Sequence, residues 1–106
     1  MKRFAILLLA LGLSACASDS DVPNGVDLKQ ASRINTQLGA DYMRRDQMDF
    51  ALTKLKRAVD QDPDYALAHS TLAFYYAKTG DAENADAEYR KAMSLEPQNG
   101  QIRNNY

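Results

Sequence analysis

Cysteine and histidine, two residue types that often carry nucleophilic, acid–base or metal chemistry, each occur once in this chain, as Cys16 and His69. With one cysteine no internal disulfide can form, and with one histidine a metal site would need carboxylates as its remaining ligands. No serine or cysteine nucleophile has a recognisable base beside it, and no Gly-rich phosphate loop occurs. The sequence therefore predicts no catalytic residues, no metal site, no cofactor and no small-molecule substrate. His69 is expected to pack or to form a hydrogen bond.

Length and composition limit the kind of domain that carries these residues. The chain has 106 residues, which allows one small domain, and its formal net charge is −1 with 25% charged residues. This balance argues against nucleic-acid binding, which requires a basic face. Asp86 and Arg90 are spaced for a helical ion pair. Glu83, Glu88 and Lys91 are predicted to lie on a solvated helix face.

The first 15 residues have the pattern of an export signal. Lys2 and Arg3 precede a ten-residue run, 4–13, that is apolar except for Gly12, and the small residues Ser14 and Ala15 follow. The run has about half of the roughly 20 residues that a membrane-spanning helix needs. We therefore predict a signal peptide over residues 1–15; a short membrane anchor or a buried helix is the alternative.

The segment Leu13-Ser14-Ala15-Cys16 resembles the lipobox of bacterial lipoproteins. The resemblance implies cleavage before Cys16, a diacylated sulfur and an acylated amine, so covalent acyl chains would anchor the protein in a membrane. Ala17 follows instead of Asp, which implies export to the outer membrane. The alternative is a secreted protein with an unmodified thiol. Residues 16–27, polar and containing Pro23 and Gly25, are predicted to form a flexible tether.

The remainder of the chain repeats with a period of 34 residues, the spacing of Pro63 and Pro97. At this offset several small and large residues fall on similar ones: Leu38 on Leu72, Gly39 on Ala73, Tyr42 on Tyr76, Ala51 on Ala85, Leu55 on Tyr89, and Ala58 on Ala92. The order resembles the tetratricopeptide-repeat (TPR) signature. Small residues would allow paired helices to approach closely, and the Leu and Tyr side chains would fill the space between them.

We therefore predict an all-α fold, a TPR α-solenoid of two helix hairpins and the start of a third. The TPR domain would occupy residues 28–106, with repeats at about 32–65 and 66–99 and a truncated repeat from 100. Predicted helices cover about 28–45, 49–61, 65–79 and 82–95, and a fifth starts near Pro97, with Pro63 and Pro97 suited to first turns. Gly80, and Asp46 in the first repeat, would take left-handed turn conformations. The array stops within a helix, which indicates a fragment of a longer protein; a naturally short chain is the alternative.

The first helix of each repeat lines the concave face of such an array. The predicted protein-binding residues are Arg33, Thr36, Gln37, Ala40, Met43, Arg44, Leu67, Ser70, Thr71, Phe74, Ala77 and Lys78. Apolar patches beside basic side chains suit an amphipathic or extended peptide with apolar anchors and acidic flanks. The alternative is that Met43 and Phe74 only pack against neighbouring helices.

Four runs point to one family: residues 37–42, 66–76, 87–92 and 103–106. Together with the lipobox they resemble the pilotin family of type IV pilus biogenesis and stability lipoproteins (PilF/PilW). The resemblance implies an outer-membrane lipoprotein on the periplasmic face that binds pilus secretin subunits and helps them localise and form a ring. Two alternatives remain: a general TPR scaffold for cell-envelope enzymes or outer-membrane assembly, and an envelope enzyme whose catalytic domain would follow residue 106.

Overall fold

The computed structural model describes residues 27–97, and within this range the chain is all-helical. Four helices follow one another: α1 (Leu28–Arg44), α2 (Met48–Gln61), α3 (Ala66–Lys78) and α4 (Ala82–Leu95). The predicted bounds agree to within a residue. The predicted signal peptide, Cys16 and the third repeat lie outside the described residues, as does nearly all of the predicted tether.

The helices are arranged as two hairpins. Residues 45–47 join α1 to α2, residues 79–81 join α3 to α4, and residues 62–65 connect the hairpins. Short connections of this kind reverse the chain direction, so α1 and α3 run the same way. Each hairpin packs chiefly within itself, α3 also contacts α1 and α2, and among the described helices α4 contacts α3 alone. The hairpins therefore stack through α3.

The same backbone turn closes both hairpins. Asp46 and Gly80 have φ of 59° and 83°, as the sequence predicts for a left-handed turn residue. The amide of Gln47 donates to the Tyr42 carbonyl at 2.9 Å, and that of Asp81 donates to the Tyr76 carbonyl at 2.8 Å. These six-to-one bonds define a Schellman turn, which pairs carbonyls that the helix end leaves open. The side chain of Asp81 then accepts from the Asn84 amide and caps α4.

The prediction that Pro63 occupies the first turn of α3 is wrong. Pro63 is the second residue of a turn between the hairpins, closed by a hydrogen bond from the Tyr65 amide to the Asp62 carbonyl at 3.1 Å. Its fixed φ suits that turn position as well as it suits a helix start. The Asp62 side chain accepts from the Asp64 amide at 3.2 Å, which stabilises the turn, and α3 begins at Ala66.

Small residues allow the close helix approach that the repeat pattern predicts. Ala51, Ala58 and Ala92 are fully buried, and a Cβ placed on Gly39 would lie 2.5 Å from two atoms of Leu55. Every buried side-chain nitrogen or oxygen among the described residues has a hydrogen-bond partner. One prediction fails: Leu72 fills the core as expected, but its counterpart Leu38 is 37% exposed because no described helix packs on that side of the first hairpin.

Candidate functional site

A groove of about 360 Å³ lies between the first helices of the two hairpins. Its lining comes from α1 and α3 and consists of Ala40, Met43, Arg44, Leu67, Ser70, Thr71, Phe74 and Lys78. All eight belong to the concave face predicted from the sequence. The structure thus brings together two stretches of chain separated by more than 20 residues.

The interior of the groove is mainly apolar. Met43 forms its floor and is 7% exposed because it also belongs to the core, whereas Leu67 and Phe74 are 42% and 46% exposed. The hydroxyls of Ser70 and Thr71 both donate to the Leu67 carbonyl, at 3.1 and 2.7 Å, so their hydrogen bonds are made within α3. An apolar side chain of a bound peptide could therefore enter without displacing a polar partner.

One end of the groove is positively charged. Arg44 and Lys78 are the last residues of α1 and α3, and because the two helices run the same way, both cations lie at the same end. Arg44 forms an ion pair with Asp41, and the Lys78 ammonium lies 5.6 Å from the centre of the Phe74 ring. The groove thus has an apolar body and a cationic end.

Four predicted residues do not line the groove, namely Arg33, Thr36, Gln37 and Ala77. Thr36 is 3% exposed and its hydroxyl donates to the Ser32 carbonyl, so its side chain does not reach the surface of the described residues. The Arg33 guanidinium lies over the Tyr65 ring, 5.9 Å from its centre, while Gln37 bonds to Asp41 at 3.3 Å and Ala77 is exposed. Protein binding by the remaining set stays a prediction.

His69 connects three parts of the second hairpin. Its Nδ1 lies 2.7 Å from a carboxylate oxygen of Glu88 on α4, and its Nε2 lies 2.7 Å from the Pro63 carbonyl oxygen. Both neighbours are acceptors, so the ring satisfies both only when both nitrogens carry protons. Burial lowers the pKa of His69 and so does Lys91, but the bonds to Glu88 and Pro63 and the Glu88 charge raise it more, to a net value above 6.5.

The prediction that Glu88 lies on a solvated helix face is therefore wrong, whereas a hydrogen-bonded His69 is confirmed. Sequence reasoning missed the pair because the two residues are 19 positions apart and meet only when α3 and α4 close. The predicted pair of Asp86 and Arg90 forms on the surface of α4 with a separation of 2.7 Å.

Two further kinds of feature are absent from residues 27–97. No group of three or more His, Cys, Asp or Glu side chains within this range could hold a metal ion. Within the same range no helix is both long and apolar enough to cross a membrane.

The stacked hairpins, with a 34-residue offset, matched Schellman turns and alanine-lined contacts, define a TPR solenoid. Comparisons with known proteins narrow this class, although no family model matches the chain. The type IV pilus assembly protein PilF of Pseudomonas aeruginosa is 34% identical over 111 aligned positions, which cover 100% of this chain and 43% of that protein. A solved structure from a functional characterization of Pseudomonas aeruginosa PilF superposes with a TM-score of 0.72 at 34% identity, over 76% of this chain and 36% of that one. The chain is therefore a PilF-like TPR protein.

Two other relatives show how far the similarity extends. An uncharacterized protein of Haemophilus influenzae is 30% identical over 105 residues, 99% of this chain and 58% of that protein. A Caenorhabditis elegans protein O-mannosyl-transferase is 28% identical over 80 residues, but these form only 11% of that enzyme. The chain thus spans about half the length of PilF and of the Haemophilus influenzae protein. Similarity in the repeats alone does not specify an activity.

Proposed function

We propose that this protein acts in type IV pilus assembly as a non-catalytic outer-membrane lipoprotein that binds secretin subunits through its TPR groove. The groove would help the subunits to reach the outer membrane and to multimerise. The similarity to PilF, in both sequence and structure, is the observation that carries the proposal. The groove supplies a physical means, because its apolar body and cationic end suit an amphipathic segment with an acidic flank.

The lining of the groove indicates which side chains would contact a bound secretin segment. Leu67 and Phe74 are the large, exposed apolar side chains that line the groove, and such side chains often dominate binding energy. Replacing Phe74 with Ala should weaken secretin binding about tenfold, since truncating such an anchor costs more than about 1 kcal/mol. Binding of purified secretin subunits to the immobilised full chain would measure this.

A matched pair of substitutions distinguishes binding in the groove from a general effect of losing exposed apolar surface. Leu28 is 54% exposed and lies outside the groove, whereas Leu67 is 42% exposed within it. We expect Leu67→Ala to weaken secretin binding and Leu28→Ala to leave it unchanged. Equal effects of the two substitutions would contradict binding through this groove. In cells, deletion of the gene should disperse the secretin and abolish twitching; normally located secretin rings would rule the proposal out.

The membrane anchor is tested separately. We expect the acyl chains on Cys16 to hold the protein in the outer membrane, since three chains exceed the two signals that stable anchoring requires. Cys16→Ala should therefore remove the protein from the outer-membrane fraction, and no other residue should substitute for it. Unchanged outer-membrane fractionation of this variant would contradict the lipid anchor.

A further inference from the structure

One side of the first hairpin carries an exposed apolar surface outside the groove. Ile34 and Leu38, one turn apart on α1, are 52% and 37% exposed, and Phe50 on α2 is 60% exposed. Tyr42 continues the same stripe of α1, and its ring centre lies 5.5 Å from that of Phe50. These four residues form a continuous patch, here called the end face.

The end face points away from the groove. Leu38 precedes the groove residue Ala40 by two positions, which at 3.6 residues per turn places the two about 200° apart around α1. The positions of α3 that correspond to Ile34 and Leu38 are closed, since Ala68 is 0% and Leu72 2% exposed, whereas Asn84, the counterpart of Phe50, is exposed. Leu72 packs against Met43 and Leu55 of the first hairpin. The α1 part of the end face is therefore the surface that α3 buries in the second hairpin, left open in the first, and Phe50 extends it onto α2.

Basic residues border this apolar surface. Lys54 and Arg57 follow Phe50 by four and seven positions, so they lie on the same face of α2. Residues 27–61 contain seven basic and five acidic side chains, a net charge of +2, whereas residues 62–97 contain three basic and seven acidic ones, a net charge of −4. Three acidic residues also border the surface: Asp41 is paired with Arg44, and Asp46 and Asp49 lie beside Phe50. The end face therefore lies on the positively charged first hairpin, whereas the second hairpin is negatively charged.

The position of the end face in the chain indicates what covers it. Leu28, where α1 begins, is 12 residues after Cys16, so the connecting chain spans at most about 40 Å. If Cys16 carries the proposed lipid, the first hairpin is the part of the solenoid held closest to the bilayer. Exposed apolar side chains with Lys or Arg beside them suit a surface of anionic lipid headgroups. A protein partner would not require this proximity.

We propose that the end face docks on the anionic phospholipid surface of the membrane. Ile34, Leu38 and Phe50 would lie among the headgroups, and Lys54 and Arg57 would contact lipid phosphates. Because the groove lies on the opposite side of α1, docking would leave it open to the periplasm. The proposal goes beyond secretin binding, and only the argument from chain length rests on the proposed anchor.

Tryptophan fluorescence can test this contact directly, because the chain contains no tryptophan. Phe50→Trp places the single reporter on the end face, and Phe74→Trp places it in the groove as a matched aromatic control. The full chain of each variant would be reconstituted with phosphatidylglycerol or phosphatidylcholine vesicles that contain lipids brominated near the headgroup. We expect strong quenching of the end-face reporter in phosphatidylglycerol, weaker quenching in phosphatidylcholine, and little quenching of the groove reporter in either.

Charge reversal at the two basic residues is a second test of docking on anionic lipid. Each Lys or Arg near an anionic surface contributes about fivefold to binding, so Lys54→Glu with Arg57→Glu should lower the equilibrium constant for docking at least about 25-fold. Quenching of the Phe50→Trp reporter should fall accordingly, while the helical circular dichroism of the chain stays unchanged. Both substitutions replace solvent-accessible side chains, so we expect the fold to persist.

Three outcomes would overturn the proposal. The first is equal quenching of the two reporters in phosphatidylglycerol. The second is a blue shift of the end-face reporter that grows with protein concentration without vesicles, which would assign the surface to a second copy of the chain. The third is a blue shift without vesicles at every concentration, which would show that the chain covers its own end face. None of these outcomes bears on secretin binding or on fractionation of Cys16→Ala, so the proposals fail separately.

Discussion

Replacement of Gly39 with Ala tests the helix contact on which the first hairpin depends. Gly39 is buried in α1 where this helix crosses α2. A Cβ on this residue would lie 2.5 Å from both Cγ and Cδ2 of Leu55, and 3.4 Å from the Ala51 carbonyl oxygen. Non-bonded carbon atoms prefer separations of about 3.5–4.0 Å, so the helices would need to move apart by about 1 Å. Leu55 is 0% exposed, so its side chain cannot swing into solvent to relieve the contact.

Two effects of opposite sign determine how far Gly39→Ala changes the free energy of unfolding. Overpacking a tight core by one methyl group costs about 1–3 kcal/mol. Replacing a helical glycine with alanine stabilises by about 0.5–1 kcal/mol, because the unfolded chain loses conformational freedom. At mid-range values the overpacking dominates, so we expect Gly39→Ala to lower the free energy of unfolding by about 1 kcal/mol. For a domain of this size, that corresponds to a fall in Tm of about 4–8 °C for each kcal/mol.

The assay is urea denaturation of the full chain, followed by circular dichroism at 222 nm, with the substitution made in two backgrounds. In the Leu55→Ala background both clashing atoms are absent, so Gly39→Ala should stabilise by about 0.5–1 kcal/mol. Leu55→Ala by itself lowers the free energy of unfolding by about 2–5 kcal/mol. All four proteins, the native chain, the two single variants and the double variant, should therefore be measured in trimethylamine N-oxide, which keeps the helices folded. In the second hairpin, Ala73 already occupies the equivalent position, and Ala73→Gly should destabilise by about 0.5–1 kcal/mol.

The result that would refute this reasoning is a Gly39→Ala variant as stable as the native chain or more so. Such a result would mean that α1 and α2 do not approach as closely as the structure shows. A destabilisation of similar size in the Leu55→Ala background would instead place the strain elsewhere than at the Leu55 side chain.

Other substitutions test contacts within and between the helices. The bonds to Glu88 and the Pro63 carbonyl raise the pKa of His69, so its contribution to stability is full below about pH 6.5 and is lost as pH rises through the folded-state pKa. The free energy of unfolding should therefore fall from pH 6 to pH 8, and Glu88→Gln should flatten that profile; an unchanged slope would exclude the pair as its cause. Ser32→Ala should cost about 1 kcal/mol by urea titration, because the buried hydroxyl donates to the Ala58 carbonyl at 2.7 Å. Asp81→Ala should cost about 0.5–2 kcal/mol through loss of the cap on α4, and no change in either titration would contradict the corresponding bond.

Part of the groove could be predicted because it depends on helical period alone. Once two helices share a 34-residue offset, the positions that face the concave side follow from 3.6 residues per turn, and eight of the twelve predicted residues line the groove. The helical period did not predict which of these concave-face positions would be buried. Thr36 has the same facing direction on the template, but α1 sits deep enough against its neighbours to leave it 3% exposed.

The sequence by itself determined the features that act locally or recur: four helices, left-handed turns at Asp46 and Gly80, and small residues where helices cross. These depend on backbone conformation and side-chain size at each position, which the residue types carry with them. Only the tertiary structure decided which long-range neighbours meet. His69 finds Glu88 and the Pro63 carbonyl because α4 folds back on α3, and Leu38 stays exposed while Leu72 is buried because a hairpin packs against only one of them. Contacts across a hairpin depend on the docking of whole helices, which no single residue specifies.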